Sequence, residues 1–226
     1  MNRNIIITGS AGNLGRAVVA KFKREGFKVI AIIEPDSGDE VEDADDVYQV
    51  DVTDEYSVQE FSKEYQMQYG ELECMALLVG GFAMGGIEET SSRDLEKMIR
   101  LNFFSAFNMV KYFLPMMKKA NNGTFLFVGA KPALQPNEGK DVLAYALSKG
   151  LVIDLAEFTA NETSDFKVRS HVFVPSIIDT PQNRESMPDA DHGQWVKPSE
   201  IAEAMHYAAS NVSLRNMTFK LYGGVY

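Results

Sequence analysis

Short runs of consecutive apolar residues alternate along this chain with longer stretches in which apolar positions recur every three or four residues. The runs fall at Asn4–Thr8, Lys28–Ile33, Val47–Val50, Met75–Val79, Thr124–Gly129, Val168–Val174 and Met217–Tyr222. Each is too short for a globular helix, and their β-branched and aromatic content suits strands buried on both faces. Between them, Leu14, Val18 and Phe22 share one helical face, with Gly26 just past its end. Thr53-Asp54 opens a helix carrying Val58, Phe61 and Tyr65, and Phe104, Phe107, Val110 and Leu114 recur at helical intervals up to Pro115. Leu147, Leu151, Leu155 and Phe158 repeat that spacing, and Ser199-Glu200 opens a last helix with Ile201, Ala204, Met205 and Ala208. Strands alternating with helices predict an α/β fold, a Rossmann-like doubly wound parallel sheet flanked by helices on both faces. No repeat, linker or second core breaks the pattern, so 1–226 reads as a single domain.

Composition narrows the partners. A formal net charge of -10 argues against nucleic acid and against anionic membrane. Between Glu34 and Asp46 stand eight acidic residues and no basic one, the composition of a solvated loop. Cys74 is the single cysteine, so no intrachain disulfide forms and a reducing, cytoplasmic location is expected. No leader precedes the first strand, and no apolar run nears the ~20 residues of a membrane span. No metal ligands are assigned.

The first strand runs into Thr8-Gly9-Ser10-Ala11-Gly12-Asn13-Leu14-Gly15. Strand, glycine turn and helix together aim free N–H groups and a positive helix end at a pyrophosphate, which marks Gly9, Gly12, Asn13, Leu14 and Gly15 as cofactor-binding. The spacing is G-x-x-G-x-x-G, not G-x-G-x-x-G. Ligands of such sheets bind at the carboxyl ends of the strands, where Glu34, Asp51-Val52, Gly80-Gly81-Phe82, Gly129-Ala130-Lys131 and Pro175–Thr180 fall. Glu34 follows the second strand, where a carboxylate accepts from ribose hydroxyls and repels a 2′-phosphate, so NADH is expected as cofactor. Arg16 softens that preference toward NADPH, and Glu34 has the alternative reading of simply beginning the acidic loop.

Tyr145-Ala146-Leu147-Ser148-Lys149 sets a phenol and an ammonium on adjacent turns of one helix face. An ammonium there favours phenolate and lowers the tyrosine pKa toward a usable general acid. With the glycine turn ahead of it, this pair makes the chain resemble the short-chain dehydrogenase/reductase family nearly end to end. By that resemblance Asp51-Val52 contacts adenine, and Asn102 is the structural-catalytic asparagine that holds a water and the lysine. Tyr145 donates the proton, and Lys149 binds the nicotinamide ribose and tunes the tyrosine. Pro175 and Thr180 resemble the ends of the family's Pro-Gly-x-x-x-Thr segment around the nicotinamide, with Ser176 in place of the glycine. The resemblance also implies a homodimer or homotetramer, paired through helices at about 102–119 and 144–161.

Two departures matter. The family's Asn-Asn-Ala-Gly becomes Leu78-Val79-Gly80-Gly81, and its catalytic serine falls at Val128-Gly129-Ala130-Lys131, where no hydroxyl stands. Losing one oxyanion donor typically costs ~2.7–4 kcal/mol, whereas a substrate that spreads incoming electrons over a conjugated ring needs that donor less. The dihydropteridine reductase branch resembles this chain in its Gly-Gly-aromatic turn, its serine-free strand end and its short acidic connection after Glu34. It also resembles the stretch Asp179-Thr180-Pro181 through Trp195. The expected activity is therefore NADH-dependent reduction of quinonoid dihydropteridine. The rivals are another reductase of a conjugated or quinone-like small molecule, and a non-catalytic dinucleotide-sensing regulator. Phe82, Ala130, Tyr145 and Trp195 are the expected substrate contacts; Phe82 has the alternative of packing under the sheet, and Trp195 that of anchoring a lid. His171 reads as a core or surface residue, and His192 is given no role.

Overall fold

A computed structural model describes residues 3–224. The strands are β1 (Asn4–Thr8), β2 (Lys28–Ile33), β3 (Asp46–Gln49), β4 (Cys74–Leu77), β5 (Gly123–Val128), β6 (Val168–Pro175) and β7 (Thr218–Leu221). They form one parallel sheet in the order β3-β2-β1-β4-β5-β6-β7. The chain order reverses between β1 and β4, which opens a crevice at their carboxyl ends. The helices are α1 (Asn13–Arg24), α2 (Glu55–Gln68), α3 (Ser92–Met98), α4 (Ser105–Ala120), α5 (Lys131–Leu134), α6 (Leu143–Glu162), α7 (Pro181–Ser186) and α8 (Pro198–Ser210).

Alternation along each strand divides the core in two. Ile6, Ile30, Met75, Phe125 and Val172 face α2, α4 and α6, where Phe61, Tyr65, Phe113 and Val152 meet them. Ile5, Ile7, Val29, Ala76, Leu126 and Phe173 face α1 and α8, against Val18, Phe22, Ile201 and Met205. Each fully buried large side chain contributes roughly 1.5–3 kcal/mol. Among the described residues no helix is long and apolar enough to cross a membrane.

The helix α4 runs to Ala120, close to the expected bound, with Pro115 inside it on the exposed side while Phe113, Leu114 and Met117 are buried. One sequence expectation changes. The stripe Leu147–Leu151–Leu155–Phe158 is not the core face of α6. Leu147 and Phe158 are 50% and 72% exposed, and the buried face is Ala144, Ser148, Lys149, Val152, Ile153 and Ala156. Ala144, Ser148 and Ala156 let α6 lie close to the sheet beside Val152 and Ile153, while Leu147, Leu151 and Phe158 stay on the outer face.

His171 lies in β6 with no exposed surface. Its Nδ1 accepts from the Met217 N–H at 3.2 Å, so the proton sits on Nε2, which has no partner among the described residues. Burial, and secondarily Arg169, pulls its pKa from 6.5 to about 4. The fold therefore binds fewer protons than the unfolded chain between those two values, and stability rises with pH across that window. Lowering the pH from 7 to 4.5 is expected to remove about 2 kcal/mol through this residue. Denaturant unfolding at both pH values checks this: His171→Gln should flatten the dependence, and an unchanged slope refutes the assignment.

Candidate active site

The glycine turn fits an anion. Gly9 adopts φ +65°, and a methyl at Gly15 would lie 2.1 Å from the Gly9 carbonyl, so the turn closes only without those side chains. Ser10 ties the turn to β2 by donating to Ile7 O at 2.5 Å and accepting from Ile32 N at 3.2 Å. Thr8 ties it to β4 through Ala76 O and the Leu78 N–H. No side chain caps the N-terminus of α1, and its first turn holds no acidic residue. By contrast α2, α3 and α7 are capped by Asp54, Ser91 and Thr180. The free donors and positive end of α1 suit the pyrophosphate of a dinucleotide.

Glu34 is exposed at the end of β2, and its carboxylate has no hydrogen bond or ion pair among the described residues. Arg16 is committed to backbone, donating to Ala11 O and Glu40 O, both at 2.9 Å. Asp51 accepts from the backbone and hydroxyl of Thr53, and the Val52 carbonyl accepts from Asn108.

On the other side of the crevice, Asn102 sits in a π-helical turn, Ile99–Phe104, between α3 and α4. Its Oδ1 accepts from Gly81 N at 2.7 Å, and its Nδ2 donates to Gly81 O at 3.2 Å and to Ser148 Oγ at 2.8 Å. Ser148 in turn donates to the Tyr145 carbonyl at 2.8 Å. Ser148 lies within the Tyr145–Lys149 motif, but its spacing there gives no sign of this role. Lys149 is buried and donates to Val128 O at 2.9 Å.

Burial alone sets the titration of the pair. It pushes Tyr145 up to about 12 and pulls Lys149 down to about 8. The expected lowering of Tyr145 by its neighbour is thus reversed, because the phenol loses hydration. Tyr145 is held protonated at neutral pH, the state a proton donor requires.

Phe82 is 61% exposed and meets Tyr145 edge-on at 5.1 Å between ring centroids, so it lines the cleft and is not packed under the sheet. Ala130 is 2% exposed at the start of α5, and Lys131 beside it is buried and paired with Glu138 at 3.0 Å. Pro175 ends β6, and Thr180 accepts from Asn183 N to start α7. Trp195 is 6% exposed, with its ring 4.4 Å from that of His192, whose Nε2 meets Met187 O at 2.9 Å. Those contacts make Trp195 an anchor of the loop.

The family model for short chain dehydrogenases matches residues 3–191. This chain belongs to that family. Its members are nicotinamide-dependent oxidoreductases, and this chain is one of them. A dihydropteridine reductase of Dictyostelium discoideum is 25% identical over 218 residues, 95% of this chain and 91% of that protein. The 2,5-dichloro-2,5-cyclohexadiene-1,4-diol dehydrogenase LinX of Sphingobium indicum is 26% identical over 227 residues, 91% of this chain and 88% of that protein. The solved structure of ElxO with NADP bound shares the fold at a TM-score of 0.89 and 22% identity, covering 99% of this chain and 98% of that one.

Where the family carries alanine, Gly80 leaves space that the site uses. A methyl there would stand 2.7 Å from Asn102 Oδ1 and 3.1 Å from Lys149 Nζ. The lysine end can swing away, but Asn102 is pinned by Gly81 and Ser148. Gly80→Ala is therefore expected to lower kcat/KM by roughly ten- to a hundredfold through misplacement of Asn102. Steady-state kinetics beside a melting curve test this, and undiminished turnover would show that the Asn102 geometry is dispensable.

Proposed function

We propose that this oxidoreductase reduces quinonoid dihydropteridine to the tetrahydro form with NADH, acting as one domain across 1–226. The observation that carries the proposal is Ala130, a buried methyl where the family has a serine hydroxyl. A simple ketone would lack a donor worth ~2.7–4 kcal/mol at its developing oxyanion. A conjugated ring that spreads the incoming charge needs it less. The exposed face of Phe82 beside Tyr145 suits a flat ring, and the Dictyostelium relative is named for this reaction.

The bound nicotinamide supplies hydride. Tyr145 gives the proton, and Lys149, an ammonium below about pH 8, binds the nicotinamide ribose. Asn102 positions Ser148 and the Gly81 backbone around the pair. Gly9, Gly12, Asn13, Leu14 and Gly15 receive the pyrophosphate, and Asp51, Val52, Gly80, Gly81, Pro175 and Thr180 complete the cofactor cleft. The unpaired Glu34 favours NADH, since Arg16 is held by two carbonyls and offers little to a 2′-phosphate. The second reading is another conjugated or quinone-like ring substrate; LinX is named for a six-membered ring diol, which supports a ring substrate without fixing its conjugation. A buried, unpaired Cys74 suits the cytoplasm.

We also propose that two copies pair through α4 and α6. Phe103, Phe107, Leu114, Leu151 and Phe158 line an open groove of about 700 Å³, and such an apolar face is unusual on a lone chain.

Purified protein with NADH and freshly oxidised tetrahydropterin should consume NADH well above background, and Tyr145→Phe should abolish most of that rate while still binding NADH. Preference for aliphatic ketones over the pterin would overturn the substrate assignment. Sedimentation should give a dimer or tetramer that Leu151→Glu/Phe158→Glu converts to monomer; a monomeric unaltered chain refutes the pairing.

A further inference from the structure

The short helix α7 is braced within its own segment. Arg184 makes two hydrogen bonds to Asp179, at 2.5 and 2.8 Å, Thr180 caps the helix, and Asn183 donates to Ile178 O at 2.8 Å. At its base the Asp179 N–H donates to Val196 O at 2.8 Å. Among the described residues, a single side-chain hydrogen bond runs from α7 to the rest of the molecule outside this segment. Asn13 Nδ2 donates to Gln182 Oε1 at 2.8 Å, across 169 residues of sequence.

The two ends of that bond occupy particular places. Asn13 is the first residue of α1, at the helix end whose N–H groups are uncapped. Gln182 is two residues beyond Thr180, on the segment that follows β6. The bond therefore closes a loop of structure running from the glycine turn through α7 and β6 back to the sheet. Both amides are exposed, so water competes for each and the bond opens at little cost. Both are also neutral, so neither adds charge beside a pyrophosphate.

We propose that Asn13 and Gln182 form a latch that retains the bound dinucleotide and sets its release rate, with Gln182 as a cofactor-positioning residue. The proposal rests on the reading of the glycine turn as the cofactor site. A rigid α7 held by one weak bond can part and re-form as a unit, which a many-bonded interface could not do as readily.

The test is a double-mutant cycle on NADH release, followed by stopped-flow fluorescence for the unaltered chain, Asn13→Ala, Gln182→Ala and the double variant. Gln182→Ala should speed release about three- to tenfold. In the Asn13→Ala background the same change should add nothing further. Equal release rates, or effects that simply multiply, overturn the latch. So does coupling seen in the melting temperature of the ligand-free protein and absent from release, since that marks a merely structural contact. Failure of the unaltered chain to bind NADH or NADPH at all overturns the cofactor reading itself, and the latch with it. An unaltered chain that binds NADH, with variants that release it no faster, sinks the latch alone.

Discussion

The carboxamide of Asn102 is the contact on which the catalytic side of the molecule depends. It bonds both polar atoms of the Gly81 peptide unit's neighbourhood, N–H and C=O, and also the Ser148 hydroxyl. Three separate pieces of chain, the turn after β4, the π-helical turn before α4 and the motif-bearing turn of α6, are thereby fixed to one another. An amide with 1% exposure must find such partners, because a buried polar group left unmade costs about 1–3 kcal/mol. The π turn widens the helix locally, and Ser105 satisfies the displaced Leu101 carbonyl at 2.6 Å. Gly80 then supplies the room. A regular helix or an apolar residue at 102 would each undo the arrangement alone, and a methyl at 80 would press on the Asn102 carboxamide.

The two halves of the crevice are held by different physics. On the cofactor side, charge attraction awaits an anion: an uncapped helix end, a turn without side chains, and nothing acidic in the first turn of α1. On the catalytic side, burial rules, and it moves Tyr145 and Lys149 in opposite directions toward their neutral forms. A phenol at about 12 and an amine at about 8 are both poised differently from what their spacing alone suggests. The acid stays loaded at neutral pH, while the lysine keeps its charge only narrowly. The buried polar cost on this side is met by the hydrogen bonds of Val128 O, Ser148 and Asn102.

Much of this was legible in the sequence. Parallel strands covered on both faces are apolar runs, so β1 and β2 fall on the expected residues and the others within one or two of them. The glycine turn was legible because position, strand and helix agree. What failed to show were features that depend on distance in space. The stripe on α6 has core-like spacing, but Leu147, Leu151 and Phe158 face outward, because the inward face is built of Ala144, Val152, Ile153, Ala156 and buried polar groups. The α3 helix and the π turn lack a regular apolar period. The direction of the Tyr145 shift required knowing its burial, which the adjacent lysine does not reveal. The Asn13–Gln182 bond joins residues whose types say nothing of each other.

The methyl of Ala130 carries the chemical argument furthest. A hydroxyl missing from an open site can be replaced by water, which donates in its stead. Here the residue is 2% exposed, and the polar side chain next to it, Lys131, is already paired with Glu138. The neighbouring cation is therefore engaged elsewhere and does not replace the missing donor. On the proposed reading, with Tyr145 as the acid, hydride transfer draws its remaining stabilisation from the substrate. A delocalised ring provides this internally, by carrying the added electron pair over several atoms before the proton arrives. On that reading the exposed ring of Phe82 beside the phenol has a reason to exist: it offers an apolar surface to a molecule whose charge is spread instead of concentrated.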